Sequence, residues 1–242
     1  MDAKDVAGKT TRGRTISISA ALSYFVFSLV INAAGNVLTV VTSQKIHPPF
    51  LGSAYWTAAS AGFNKSVFGG SNSMLGWVFF GVGVVVAVLN VVLQGHFDWR
   101  KFVGNIAFMV PFSLLISYFA NIFSAIIPDS HSVGMTIFYV ILNFLGVGLI
   151  AVAISIYQRT NLVLHPADDL MQILRFKYFK GSAAKAMWAS YIPPTILAII
   201  AVIIFPDFSN YGLGTVFAFL FQGGITGLGD KYVFPGLKHQ GI

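Results

Sequence analysis

Cysteine is absent from all 242 residues, which excludes disulfides, thiolate nucleophiles and cysteine metal sites. Charge is scarce as well: Asp, Glu, Lys and Arg make up only 10% of the chain, against roughly 25% in a soluble domain. Signals of catalysis are missing. The histidines His47, His96, His131, His165 and His239 fall in loops or ends and show no metal-ligand spacing. There is no nucleophile elbow, and the adjacent carboxylates Asp168 and Asp169 point about 100° apart on a helix. The glycines of the last apolar run, Gly223, Gly224, Gly227 and Gly229, lack the lysine and preceding strand of a phosphate loop. Neither an enzyme nor a cofactor or metal site is expected.

The chain is instead rich in apolar residues: 56% are hydrophobic, mean hydropathy is +0.76, and there are 23 Phe and 24 Gly. Phenylalanine suits lipid, and small residues let membrane helices approach closely. Apolar runs at about 17–41, 74–93, 102–126, 133–157, 183–205 and 211–228 each match a hydrocarbon core of roughly 30 Å. The first run is too long for the h-region of a cleaved signal peptide. The chain is therefore read as all-α, a polytopic membrane protein with six spans. A short further helix is expected near 51–63, after Pro48 and Pro49.

With the N-terminus in the cytoplasm, thirteen Lys and Arg lie inside, and only Lys45 and Lys65 lie outside. That asymmetry places both termini in the cytoplasm and the chain in the cell membrane as a multi-pass protein. It also accounts for the net charge of +7 without nucleic acid.

The two halves align. Phe50–Phe63 falls opposite Val163–Phe176 without a gap, Trp77 opposite Trp188, and Gly104 opposite Gly214, at offsets of 113, 111 and 110. Three spans per copy is an odd number, so the second copy is inverted, a plan that secondary transporters use with a midplane site between the repeats. The organisation is a cytoplasmic tail (1–15), a first three-helix repeat (16–126), a second (133–233) and a cytoplasmic C-terminal tail (234–242).

The segments LGSAYW (Leu51 to Trp56), LHPADDL (Leu164 to Leu170) and GLGT (Gly212 to Thr215) resemble the YczE-like bacterial membrane proteins, grouped with YyaS and YitT types. The chain departs from that pattern at Thr57, where an acid is expected, and in its doubled Asp168 and Asp169. The resemblance implies an integral membrane protein of poorly defined activity, often taken as a permease.

Candidate solute-binding residues follow from polar groups in apolar surroundings. Asp168 and Asp169, after Pro166, begin either an interfacial amphipathic helix or a segment that dips into the bundle. Tyr55 and Trp56, at the equivalent point of the first repeat, are belt anchors or a stacking platform. Asn32, Asn36, Asn143 and Gln222 are amides inside spans, serving as helix glue or as pathway lining, and Asn32 and Asn36 share a helical face.

The leading expectation is a permease for a small polar or ring-bearing metabolite. The alternatives are a vitamin importer's membrane-embedded binding subunit, energised by a partner ATPase, and an accessory membrane protein without a ligand. The lipid bilayer is the expected surrounding, and a homo-oligomer is a further partner state.

Overall fold

A computed structural model describes residues 15–180 and 182–239, all helical with no strand among them. Lys4, Lys9, Arg12 and Arg14 of the N-terminal tail and residues 240–242 lie outside the described residues. The helices are α1 (Ile18–Gln44), α2 (Tyr55–Phe68), α3 (Asn72–Gln94), α4 (Trp99–Ile126), α5 (Val133–Thr160), α6 (Pro166–Ile173), α7 (Ala183–Ser190), α8 (Ile192–Ile204) and α9 (Leu213–Tyr232). A π-helical turn, Leu174–Tyr178, continues α6.

Five stretches are long and apolar enough to cross a membrane: α1, α3, α4, α5 and the combined stretch Lys185–Ile204. Their outer faces carry large apolar side chains such as Trp77, Val133, Trp188 and Ile203 in the open, as contact with lipid requires. Helix α9 spans 20 residues but, with Gln222, Asp230 and Lys231, is not among the five.

Without water to drive association, membrane helices pack through small residues and interhelical hydrogen bonds. Helices α1 and α5 show both. A Cβ on Gly35 would stand 2.7 Å from the Gly146 carbonyl oxygen, and one on Gly146 would stand 2.9 Å from that of Gly35. One turn away, the fully buried Asn143 donates from Nδ2 to Thr39 O (3.0 Å), Thr42 Oγ1 (3.2 Å) and Gly52 O (2.9 Å). Around this crossing α4 packs on α1 and α9 on α5, while α2 packs on α8 and α6 on α3. Helices α3 and α4 form a close hairpin; α8 and α9 do not.

Three local features of the chain have physical causes. The short second helix begins at Tyr55, later than expected, because residues 50–54 are non-helical, with Gly52 in the left-handed region (φ 67°). Their backbone is bonded to the chain before α9 and to the first turn of that helix, through Ser53 N to Asn210 O (3.0 Å), Leu213 N to Phe50 O (3.1 Å) and Gly214 N to Leu51 O (2.5 Å). The span over 183–205 is interrupted, as Pro193 and Pro194 imply: it divides at Tyr191, just ahead of these two residues, which lack the N–H that a continuous helix needs. Finally, α6 is not laid on a surface. Pro166, Asp169, Leu170 and Ile173 are all buried, and Asn90 Nδ2 donates to Pro166 O (2.9 Å) while Asn105 Nδ2 donates to Leu164 O (3.2 Å).

Each short helix leaves and returns at its own end of the bundle. At one end, Ser43 Oγ donates to Ser209 O and Lys65 pairs with Asp207, so the chain before α2 and the end of α2 share a neighbour. At the other, Lys177 Nζ donates to Leu93 O (2.9 Å) and Gln94 O (2.6 Å), where α3 finishes. Arg159, 1% exposed, sits near that second end. It donates to the carbonyls of Ser155, Val233, Phe234 and Leu237 and lies 3.4 Å from Asp230.

The crossing yields a direct test. Gly35→Val forces two backbones apart and is expected to lower stability by about 2 kcal/mol. Gly81→Ala, where nothing lies within 4 Å of the added Cβ, is expected to be neutral or slightly stabilising. Detergent thermal melts of the two variants measure the difference.

Candidate functional site

A cavity of about 250 Å³ occupies the middle of the bundle, walled by every helix except α8. Six of the eight residues singled out in the sequence, Asn32, Asn36, Tyr55, Trp56, Asp168 and Gln222, line it. The remaining two do not. Asn143 holds α1 and the 50–54 segment, as above, and Asp169, 3% exposed, turns away from the cavity towards the α4 side, where Asn105 and Lys101 face it.

The polar groups of the cavity form a relay between the two short helices. Thr57 Oγ1 at the start of α2 donates to Asn36 Oδ1, and Asn36 Nδ2 donates to Asn32 Oδ1 (2.6 Å) and Asn32 O (2.9 Å). Asn32 in turn reaches the Tyr157 hydroxyl. That hydroxyl donates to Asp168 Oδ2, and Gln158 Nε2 donates to Asp168 Oδ1 (3.4 Å). The i, i+4 spacing of Asn32 and Asn36 makes the first half of this relay a property of one helix face.

The walls between these groups are aromatic and thioether. Tyr55 packs on Tyr191 at 4.7 Å between ring centroids, and its hydroxyl lies 2.7 Å from Thr195 Oγ1. Trp56, Met171 and Met187 also line the cavity. The indole N–H of Trp56 and the amide of Gln222 make no hydrogen bond within the described residues, so both are available to an occupant.

His165 Nδ1 accepts from Ala167 N (3.1 Å), capping α6, and the ring meets Phe108 and Phe112 edge-on. That geometry needs the neutral ring, and burial among these groups holds its pKa down at about 4. Asp168, in the connection between two spanning stretches, is pushed the other way, to about 6. Burial is the main cause and Asp169 adds to it, while the hydrogen bonds from Tyr157 and Gln158 oppose. Burial likewise raises Asp169, with Lys101 opposing.

Tyr157, Gln158 and His165 did not stand out in the sequence. Tyr157 and Gln158 look like the ordinary aromatic and polar end of a span, and a lone histidine before Pro166 carries no spacing signal.

Residues 19–231 match a family described as a family of unknown function, DUF6198, and the chain belongs to it. No curated protein and no solved structure matches the chain.

The shifted groups carry opposite pH signatures. Asp168 binds its proton more tightly folded than unfolded, so its contribution to stability is complete below about 3.8 and is lost as pH rises through about 6. The contribution of His165 is complete above about 6.5 and is lost as pH falls through about 4. Asp168→Asn removes only the first. The melting temperature of this variant is expected to gain on wild type as pH is raised between those limits; a constant difference would contradict the assignment.

Proposed function

We propose that the chain is a membrane permease with six crossings in two inverted three-helix repeats, α1–α4 and α5–α9, and that the central cavity binds a small polar or ring-bearing solute. The observation that carries this reading is the cavity itself, where the starts of two short helices from opposite halves come together under side chains from both.

The pattern of helix contacts supports the repeat. Exchanging the halves turns the α1–α4 contact into α5–α9 and the α2–α8 contact into α3–α6, while α1–α5 maps onto itself. At the crossing, Asn32 with Gly35 stands opposite Asn143 with Gly146, at the offset of 111 that also relates Trp77 and Trp188. Short helices that enter and return on one side are a device by which transporters build midplane sites, since irregular backbone is tolerated in a membrane only where protein or a cavity covers it. The resemblance to YczE-like proteins points the same way. With no nucleotide-binding motif in the chain, any uphill transport draws on an ion gradient or on a partner ATPase.

Two measurements test the reading. Because the chain has no native cysteine, His131→Cys and His96→Cys, both in exposed turns, report orientation directly. An impermeant maleimide is expected to label the first from outside intact cells and the second only after lysis. Labelling of both from one side would end the six-span reading. A thermal-shift screen of the purified protein against metabolites and vitamins is expected to give a stabilising compound, worth roughly 2.7 kcal/mol at a hundredfold excess over Kd, that Trp56→Ala no longer binds. A compound that stabilises the variant equally is not held in this cavity.

A further inference from the structure

The charge inventory of the cavity narrows the class of solute. Asp168 is the acid on its walls, and among the described residues neither lysine nor arginine lines it. The Asp168 carboxylate accepts from Tyr157 and Gln158, two neutral donors, and among the described residues takes part in no ion pair. An ionised carboxylate left unpaired in so apolar a place is costly, and a positive charge that joins it removes much of that cost. A single carboxylate is a poor site for a divalent metal, which needs several hard oxygen ligands. Aromatic faces and thioethers beside a carboxylate are instead the surroundings that favour an organic ammonium group. The remaining titratable groups near Asp168 do not supply the missing charge. Tyr157, Tyr55 and Tyr191 bear phenol hydroxyls, which supply no cation, His165 is held neutral as the cap of α6, and Asp169 is of like sign.

We propose that, on the permease reading, this cavity takes a singly charged organic cation with a ring or short apolar body, and that its arrival releases a proton from the Asp168 carboxyl to solvent. Proton and solute thus occupy the carboxylate by turns, so the cavity is built for exchange of one for the other. Where the carboxyl is protonated, the stoichiometry is one proton out for one cation in, and the site stays neutral in both states.

Isothermal titration calorimetry of the detergent-purified full chain tests this with three probes sharing a benzyl body: benzyltrimethylammonium, benzyl alcohol and phenylacetate. The cation is expected to bind at least about tenfold more tightly than the other two at about pH 8, and to lose about tenfold at about pH 5. Near pH 6, where the carboxyl is about half protonated, its binding in buffers of different ionisation enthalpy is expected to show release of about half a proton per cation. Asp168→Asn is expected to lose the preference and the proton release, whereas Asp168→Glu keeps both.

Equal binding of the cation by wild type and Asp168→Asn overturns the proposal. So does absence of proton release in the wild type, a result that stands even if the asparagine variant does not fold. If benzyl alcohol or phenylacetate binds more tightly than the cation, and Trp56→Ala abolishes that binding, the charge assignment falls while the cavity remains a solute site. No heat with any of the three overturns both.

Discussion

At the crossing of α1 and α5, two peptide backbones lie closer than side chains would allow, because Gly35 and Gly146 present none. In a bilayer no hydrophobic force draws two apolar helices together, so such an approach is held by dispersion and by whatever polar groups find partners. Asn143 supplies three hydrogen bonds there, two of them to backbone carbonyls. One of these reaches the 50–54 segment and so fixes where α2 begins. The position of Tyr55 and Trp56 in the cavity wall thus follows from an amide that does not touch the cavity.

The crossing also governs how the site can be polar at all. Each buried polar group in an apolar interior needs a partner, and a chain this short of charge has few to spare. Its solution is a relay in which Thr57, Asn36, Asn32, Tyr157 and Asp168 satisfy one another in sequence. The relay passes through α1 and α5, the two helices whose spacing the glycines set.

Much of this was legible in the sequence because hydropathy records where water is absent. The apolar runs fall within a few residues of the helices, and Asn32 and Asn36 stand together as their spacing required. Pro166, Asp168 and Asp169 correctly marked the start of a helix, and being adjacent, the two aspartates do face different neighbours. What was not legible depends on long-range contact. Residues 50–54 are held out of a helix by bonds to the chain around the start of α9, and nothing local announces that. Asn143 reads from its surroundings just like Asn36, and only the packing separates the one that braces helices from the one that faces open space. The setting of His165 is likewise tertiary, since Phe108 and Phe112 come from a helix more than fifty residues earlier.

Arg159 illustrates a different constraint. Its guanidinium is buried, and three of the carbonyls that receive it belong to Val233, Phe234 and Leu237, far later in the chain. While the polypeptide is being synthesised, α5 is therefore complete when its cation has only the Ser155 carbonyl of its own helix as acceptor. Until the segment after α9 arrives, the other guanidinium donors must be met by water, which holds that end of α5 where water can reach it. The last helix and the turn that follows it act as the closing step of assembly, and a fusion partner placed directly after Tyr232 would interfere with folding rather than merely extend the chain.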